Sequence, residues 1–254
     1  GLLSCIKDDG KIHTIYTQNL TRTGRLSSIE PNLQNIPVRD DIGKEIRKAF
    51  IPENDYIVGA DYSQIELRVL AHMADVPALK QAFIDGKDIH AKTASDIFHV
   101  PENLVTSNMR RVAKAVNFGI IYGISSFGLG ENIGMRAVDA KKFIDTYLET
   151  YPGIKEYMDE SIKHAKEKGY VKTMFNRKRN IPELNNTVYT IRQSGERIAL
   201  NTPIQGTAAD IIKLAMVKVY KAFEENHLKS KMIIQIHDEL IIDTYKDELE
   251  KVQK

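Results

Sequence analysis

Three short stretches of this sequence carry residues that could do chemistry. In Asp61-Tyr62-Ser63-Gln64-Ile65-Glu66-Leu67-Arg68 an aspartate closes a short apolar run just where a helical pattern begins. A carboxylate there would stand at a sheet edge on a rigid element, as a metal ligand must. An aspartate in that place serves equally well as a helix cap. In His237-Asp238-Glu239, three ionisable residues fill the gap between two apolar runs. Aspartate suits a tight turn with no further role. Yet ionisable groups at the tip of a buried hairpin are costly unless something such as a metal ion offsets them. In Asn108–Tyr122, Arg110, Lys114, Phe118 and Tyr122 recur every four residues. That spacing draws one slowly winding stripe of two cations followed by two aromatics. Such a stripe could clamp a nucleotide, with cations on phosphates and a ring against base or sugar. It could equally be a solvated basic end grading into a core-facing apolar end.

The elements that must position these groups can be read from periodicity. Lys11–Tyr16 alternates as a strand after an Asp8–Gly10 turn, and Leu26–Pro37 is polar, carries two prolines and reads as loop. Tyr56–Ala60 predicts a buried strand and Ile65–Met73 a helix. Asp75 to Lys178 reads mostly as helices, punctuated by Pro77, Pro101 and Pro152, with Gly123, Gly128 and Gly130 marking a break after a long helix. Thr190–Lys221 is helical again, kinked or restarted at Pro203. Met232–Ile236 and Leu240–Asp243 predict a hairpin around His237–Glu239. Asp247 to Lys254 reads as an amphipathic helix without a cap. Strands interrupted by a helical insertion predict an α+β fold with the insertion as its own lobe.

The bulk numbers narrow the class but not the activity. The 254 residues suffice for one large domain or two smaller ones, and 42% hydrophobic with 28% charged residues is ordinary for a globular protein. The net charge of +2 does not announce nucleic-acid binding, so any basic surface must be local. Cations do cluster, at Arg22 and Arg25, at Arg110, Arg111 and Lys114, at Lys141 and Lys142, and at Lys172, Arg177, Lys178 and Arg179. The lone Cys5 builds no internal disulfide, no apolar run reaches a membrane span, and no signal peptide opens the chain. These features predict a protein of the cytoplasm, at the bacterial nucleoid, or of an organelle. Both ends look cut, as in a fragment of a longer chain.

Taken in order along nearly the whole chain, these stretches resemble the polymerase I family, the family A DNA polymerases. Asp61–Arg68 matches its motif A. Arg110, Lys114, Phe118, Tyr122 and Gly123 match motif B, and His237-Asp238-Glu239 matches motif C. Thr23–Ser28 and Glu30–Asn35 resemble the family's primer–template segments. Asp88-Ile89-His90, and Arg197 through Gln205-Gly206, also match. The resemblance implies a right-hand polymerase of α+β class. An antiparallel-sheet palm would occupy 1–75 and 190–254, truncated at its C-terminal end, and all-helical fingers 76–189. The family's thumb would precede residue 1, and no exonuclease domain is expected within these residues.

The implied reaction is attack of a primer 3′-hydroxyl on the α-phosphate of a deoxynucleoside triphosphate, with two Mg²⁺ ions and Mn²⁺ able to substitute. By family position Asp61 and Asp238 would bridge the ions, with the Tyr62 carbonyl helping and Glu239 supporting. Arg110, Lys114 and His90 would grip the triphosphate, and Lys114 would be the acid for pyrophosphate, its pKa tuned by desolvation. Phe118 would lie against sugar and base, and without a tyrosine hydroxyl it predicts weak dideoxynucleotide acceptance. Gln64 joins this nucleotide set, and Glu66 and Tyr122 would close the space around the sugar 2′ position. Tyr122 with Gly123 would hold the templating position until closure. Arg25, Asn32, Gln34, Asn35, Gly123, Arg197, Asn201, Gln205 and His237 would contact primer–template DNA, mostly from the minor groove. The implied partners are primer–template DNA and deoxynucleoside triphosphates, with no membrane and a monomeric state. A phage-type single-subunit RNA polymerase would share the aspartates, but Glu66 and Glu239 favour DNA synthesis. A fragment that binds DNA or nucleotide with little catalysis is the other reading, and an unrelated two-carboxylate metal nuclease would leave the Arg110–Tyr122 stripe without a role.

Overall fold

The computed structural model describes residues 1–36 and 41–254. Pro37, at the end of the loop-rich stretch, lies outside the described residues. In chain order the elements are β1 (Ile15–Thr17), β2 (Ser27–Ile29), α1 (Asp41–Lys48), β3 (Tyr56–Asp61), α2 (Ile65–Met73), α3 (Pro77–Ile84), α4 (Ile89–Phe98), α5 (Ser107–Ile121) and α6 (Ser126–Ile133). They continue with α7 (Ala137–Thr150), α8 (Pro152–Lys168), β4 (Tyr170–Lys172), β5 (Lys178–Asn180), α9 (Tyr189–Glu225), β6 (Lys231–Ile236), β7 (Glu239–Thr244) and α10 (Leu249–Val252). Mixed helix and antiparallel sheet is the expected α+β class. The chain divides into two compact units, Gly1–Ser63 with Ala208–Lys254, and Gln64–Thr207. These divisions differ from the expected 75/76 and 189/190. Helix α2 falls with the helical unit because it packs on α3, α5 and α8.

The first unit is built on a three-stranded antiparallel sheet of order β3-β7-β6. β7 is central, and its Leu240, Ile242, Asp243 and Thr244 are buried. Asp243 accepts from the backbone N–H and the side-chain amide of Asn54 (3.2 and 2.8 Å). β1 and β2 form a separate ribbon, pairing Ile15 with Ile29. Tyr16 ties that ribbon to β6, donating to the Gln235 carbonyl (2.8 Å) and accepting from its N–H (2.9 Å). Glu248 accepts from the N–H groups of Lys229 and Ser230 (both 2.8 Å) and from the Ser230 hydroxyl (2.6 Å), which pins the start of β6.

Five expectations in this unit change. The Leu26–Pro37 stretch, read as loop, holds the strand β2 at Ser27–Ile29, whose strand character comes from pairing with β1. β3 is not a buried strand: Tyr56 and Ile57 are 40% and 41% exposed. Among the described residues it lies at an edge, with β7 as its one neighbour, and an apolar run alone cannot distinguish edge from centre. The early strand is only Ile15–Thr17, because the Lys7–Lys11 turn leaves a single Ile6–Ile12 bridge before it. The hairpin loop is two residues, since Glu239 already pairs with Ile236. Near the C-terminus, a 3₁₀ turn at Lys246–Glu248 precedes the single turn α10 in place of one amphipathic helix.

The second unit is a helical body in which α4 packs on α5, α6 on α7, and α2 on α3. α5 buries Val112, Ala113, Val116, Ile120 and Ile121, the face opposite the predicted stripe. The unit is not all helix. β4 and β5 form a hairpin over a small core of Ala165, Val171, Ile181, Leu184 and Ala199. α9 neither stops nor restarts at Pro203. The ring forfeits one bond to the Ala199 carbonyl, but Ala199, Leu200 and Ile204 around it are buried and hold the helix. Gly123 does end the long helix, at φ +60°. Gly130 instead lies inside α6, where a Cβ would come 2.6 Å from the Met135 carbonyl oxygen.

Candidate active site

The first unit gathers the predicted metal ligands. Asp61 ends β3, and its register partner across the ladder is Glu239, the first residue of β7. The Tyr62 N–H donates to the Asp238 carbonyl (3.1 Å), which joins the strand end to the hairpin turn. Asp61 is no helix cap: Gln64, at φ +55°, occupies the N-cap of α2. Within the two-residue turn, His237 takes a positive φ of 53° and is exposed, and Asp238 is half-buried. The tip is thus less buried than the apolar flanks suggest, and the burial cost invoked for it falls mainly on Glu239. Burial raises the Glu239 carboxyl above its ordinary range, the Asp61 charge raises it further, and Arg47 opposes both. A Cβ at Gly59 would meet Glu239 Oε1 at 2.6 Å, so glycine makes room for this carboxylate on β3. Among the described residues, no three His, Cys, Asp or Glu side chains converge on one metal position. Two aspartates at a strand end and a turn leave coordination open for phosphate oxygens and water, as magnesium prefers.

The second unit gathers the nucleotide set at the junction of α4 and α5. Arg110 and Lys114 are exposed, Phe118 is half-buried and Tyr122 is 40% exposed. The aromatic end of the stripe therefore does not face the core. Lys114 is exposed rather than desolvated, contrary to expectation. Asp88 joins the two helices. One oxygen caps α4, accepting from the N–H groups of His90 (2.9 Å) and Ala91 (3.1 Å), and the other accepts from Arg110 Nε (2.7 Å). His90 is 3% exposed. Burial pulls its pKa down to about 4, the charges of Arg110 and Lys114 add to this, and Asp88 opposes them. The ring is neutral at pH 7, so it can offer a hydrogen bond but not a charge. Asn117 Nδ2 lies 3.1 Å from His90 Nδ1, which leaves Nε2 to carry the proton. The Phe118 ring stands 5.8 Å from the His90 ring. The Tyr122 hydroxyl donates to the buried Glu66 (2.9 Å), so the two residues expected at the sugar 2′ position are in contact.

The residues expected to touch DNA are distributed over both units. In the first, Arg25 and His237 line one shallow pocket with Lys213 and Gln235. Asn32 and Asn35 are exposed, and Asn32 accepts from the Gln34 N–H (2.9 Å). The Gln34 amide is already bonded, donating to the Gln235 carbonyl (3.1 Å) and accepting from the Ser28 N–H (3.2 Å). In the second, Arg197, Asn201 and Gln205 follow one face of α9 at four-residue spacing. The Arg197 stem packs on Gly123, where a Cβ would meet it at 3.0 Å. Asn201 Oδ1 is buried without a partner among the described residues.

Sequence reasoning gave no role to Asp88, Asn117, Tyr16 or Gln235. Gln235, 4% exposed, also donates to the His237 carbonyl (2.5 Å) and so braces the turn that carries Asp238. Its signal, like that of Asn117, was a polar residue inside an apolar run.

The model of DNA polymerase family A matches residues 1–254. The chain belongs to DNA polymerase family A. Among curated family A relatives, DNA polymerase I of Lactococcus lactis subsp. cremoris is 53% identical over all of this chain, and that of Geobacillus stearothermophilus is 52% identical over 99% of it. The chain spans 29% of the length of each. A solved family A structure, the POL domain of Pol1 from M. smegmatis in complex with DNA primer–template and dNTP, superposes with a TM-score of 0.96 at 40% identity. It covers 99% of this chain and 45% of that one. These relatives do not favour the phage-type RNA polymerase alternative. Among the described residues, no helix is long and apolar enough to cross a membrane.

Proposed function

We propose that this chain carries the nucleotidyl-transfer chemistry of template-directed DNA synthesis, joining a deoxynucleoside triphosphate to a primer 3′-hydroxyl. The observation that carries this reading is the carboxylate pair Asp61 and Glu239, directly opposed in register, with Asp238 in the adjoining turn. Like charges set across a ladder are unfavourable by themselves, and an oxygen-only donor set with open positions fits divalent magnesium. The structural relative from M. smegmatis is bound to primer–template and dNTP, and we assign the same partners here.

Asp61 and Asp238 would hold two divalent ions, with the Tyr62 carbonyl on one. Bound there, the ions would neutralise charge on the attacking and leaving oxygens. Arg110 and Lys114 would bind the triphosphate as cations, and His90 as a neutral donor through Nε2. Lys114 would protonate the leaving pyrophosphate, with its proton passing to the bridging oxygen as the P–O bond breaks. Phe118 would pack against the sugar and base. Glu66, fixed by Tyr122, would crowd a 2′-hydroxyl and so disfavour ribonucleotides. Gln64 would border the same sugar. Arg25, Asn32, Gln34, Asn35, Gly123, Arg197, Asn201, Gln205 and His237 would line the path of the primer–template.

Primer extension with Mg²⁺ tests the proposal, run on this chain and on a form lengthened to match its relatives, each with Asp61→Asn. The expected result is extension with deoxynucleotides and its loss in the variant. Preferred use of ribonucleotides, no extension by the longer wild type, or unchanged extension in Asp61→Asn would overturn it.

A further inference from the structure

The most uneven distribution of charge in the chain lies outside the residues assigned above. Between Glu167 and Glu183 there is no acidic residue, while Lys168, Lys172, Arg177, Lys178 and Arg179 supply five positive charges. With 36 cations against 34 anions in the whole chain, the remaining residues sum to −3.

This stretch folds as the β4–β5 hairpin. Val171 and Thr173 point inward and are buried, and Lys172 and Lys178 stand on the outer face. Lys172 and Lys178 are register partners, directly opposite each other. Like charges so placed destabilise a hairpin. The Tyr170 ring offsets part of that cost, with Lys178 Nζ 4.0 Å and Lys172 Nζ 5.9 Å from its centroid. Among the described residues neither lysine has a carboxylate partner.

The tip is ordered by its own hydrogen bonds. Thr173 N–H donates to the Arg177 carbonyl (3.0 Å), which leaves Met174-Phe175-Asn176 as a three-residue loop. Asn176 takes the left-handed conformation at φ +63°, as the last residue of such a loop does. Thr173 Oγ1 accepts from the Phe175 and Arg177 N–H groups (3.3 and 3.1 Å), and Thr207 Oγ1 accepts from the Met174 N–H (3.1 Å). The loop therefore holds Met174 and Phe175 out, each 49% exposed. An opposed lysine pair beside a fixed, exposed aromatic is the combination that binds single-stranded nucleic acid, with cations on the backbone and a ring under a base.

We propose that the β4–β5 hairpin is a docking surface for single-stranded DNA, with Lys172 and Lys178 on its phosphates and Phe175 stacked on a base. That the strand is DNA rests on the function proposed above, where a template must be single-stranded ahead of synthesis.

The test is binding of a fluorescently labelled oligothymidylate to the full chain, by anisotropy, over a series of salt concentrations. Lys172→Gln and Lys178→Gln are each expected to flatten the dependence of log K on log salt by about 0.7. Phe175→Ala is expected to weaken binding about 5- to 100-fold at every salt concentration with the slope unchanged. None of the three variants is expected to unfold earlier than wild type, since Phe175→Ala replaces an exposed side chain and each lysine variant also relieves the like-charge pair. Unchanged slopes in both lysine variants, a wild type that binds no oligothymidylate or binds duplex equally well, or a loss of binding matched by a lower unfolding temperature would each overturn the proposal. Primer extension is read separately. If extension fails while the lysine variants still flatten the slope, the polymerase reading falls and the surface stands as a nucleic-acid site.

Discussion

Two antiparallel ladders of this molecule break the same rule with opposite signs. In the first unit Asp61 faces Glu239 across a ladder, and in the second Lys172 faces Lys178. The cationic pair has an internal remedy in the Tyr170 ring beneath it. Among the described residues neither carboxylate has a hydrogen-bond or ion-pair partner, and Glu239 answers by holding its proton more tightly. The difference teaches what each site waits for. A pair softened by an aromatic can remain charged and accept a loose, repeating anion. An anionic pair that the nearby Arg47 charge eases only in part calls for a concentrated, mobile cation. A third region supplies the contrast: at the α4–α5 junction Asp88 and Arg110 are matched at 2.7 Å, so a charge removed there should do harm instead of good.

The largest test removes one anion. Asp61→Asn is expected to lower primer extension about a thousandfold, because the ions it would hold supply several kcal/mol of charge stabilisation. The same variant is expected to unfold no earlier than wild type in the absence of divalent ions, since the repulsion is relieved. A coincident loss of activity and stability would make Asp61 a structural residue and end the comparison. A second test adds the cation. Mg²⁺ at about a hundred times its dissociation constant should stabilise the wild type by about 2.7 kcal/mol. Calorimetric or thermal unfolding with and without chelator reads this directly, and Asp61→Asn should abolish most of it.

How much of this was legible beforehand depends on how local each determinant is. Helix α2 was read at its true bounds, because its apolar spacing is a local signal. α5 was displaced by one residue at each end, and its stripe runs from the exposed Arg110 and Lys114 through the half-buried Phe118 to the partly exposed Tyr122. The β4–β5 hairpin was missed because Lys178-Arg179-Asn180 has no apolar alternation; its strand character comes from pairing with Tyr170-Val171-Lys172 over a core assembled from α8 and α9. The exposure of β3 was missed because a strand's place in a sheet is set by its partners. In the site, residue types and spacing named Arg110, and the family resemblance named His90 and Glu66, but neither told what holds them. Asp88 holds Arg110, Asn117 orients His90, and Tyr122 fixes Glu66, each across a turn or between helices. Such couplings are written in three dimensions, and only the oddity of a polar residue in an apolar run hinted at them.

The matched pair gives a smaller effect of opposite sign. Asp88→Asn keeps an effective cap for α4, because asparagine is as good an N-cap as aspartate, but it removes the charge that aims Arg110. The pair is nearly half exposed on both sides, so solvent screening limits its worth to about 1 kcal/mol or less. The Michaelis constant for the deoxynucleotide is therefore expected to rise roughly 3- to 5-fold, with the unfolding temperature lowered slightly at most. Asp88→Ala should show the same affinity loss together with lower stability. An Asp88→Asn variant that binds nucleotide more tightly would mean that Asp88 competes with phosphate for Arg110 and does not position it.

The smallest effect isolates the repulsion itself. Glu239→Gln removes one charge from the Asp61–Glu239 pair and leaves the shape of the side chain over Gly59 intact. Glu239 has a folded pKa raised above its unfolded value, so its ionisation opposes folding, and this cost is absent below about pH 4.5 and complete once pH exceeds the folded value. In the absence of divalent ions the variant should thus be more stable than wild type at pH 7, by a few tenths to about 1 kcal/mol, the range for a cross-strand like-charge pair. The gain should shrink as pH falls through the carboxylate range and vanish where wild-type Glu239 is protonated in both states. With saturating Mg²⁺ it should shrink again at pH 7, because a cation on Asp61 offsets the same charge. Urea unfolding at two pH values, each with and without Mg²⁺, measures all four numbers. A gain that persists at low pH would trace to packing over Gly59 and not to charge. One that survives Mg²⁺ would place the cation away from Asp61, and the contrast between the two ladders would lose its anionic half.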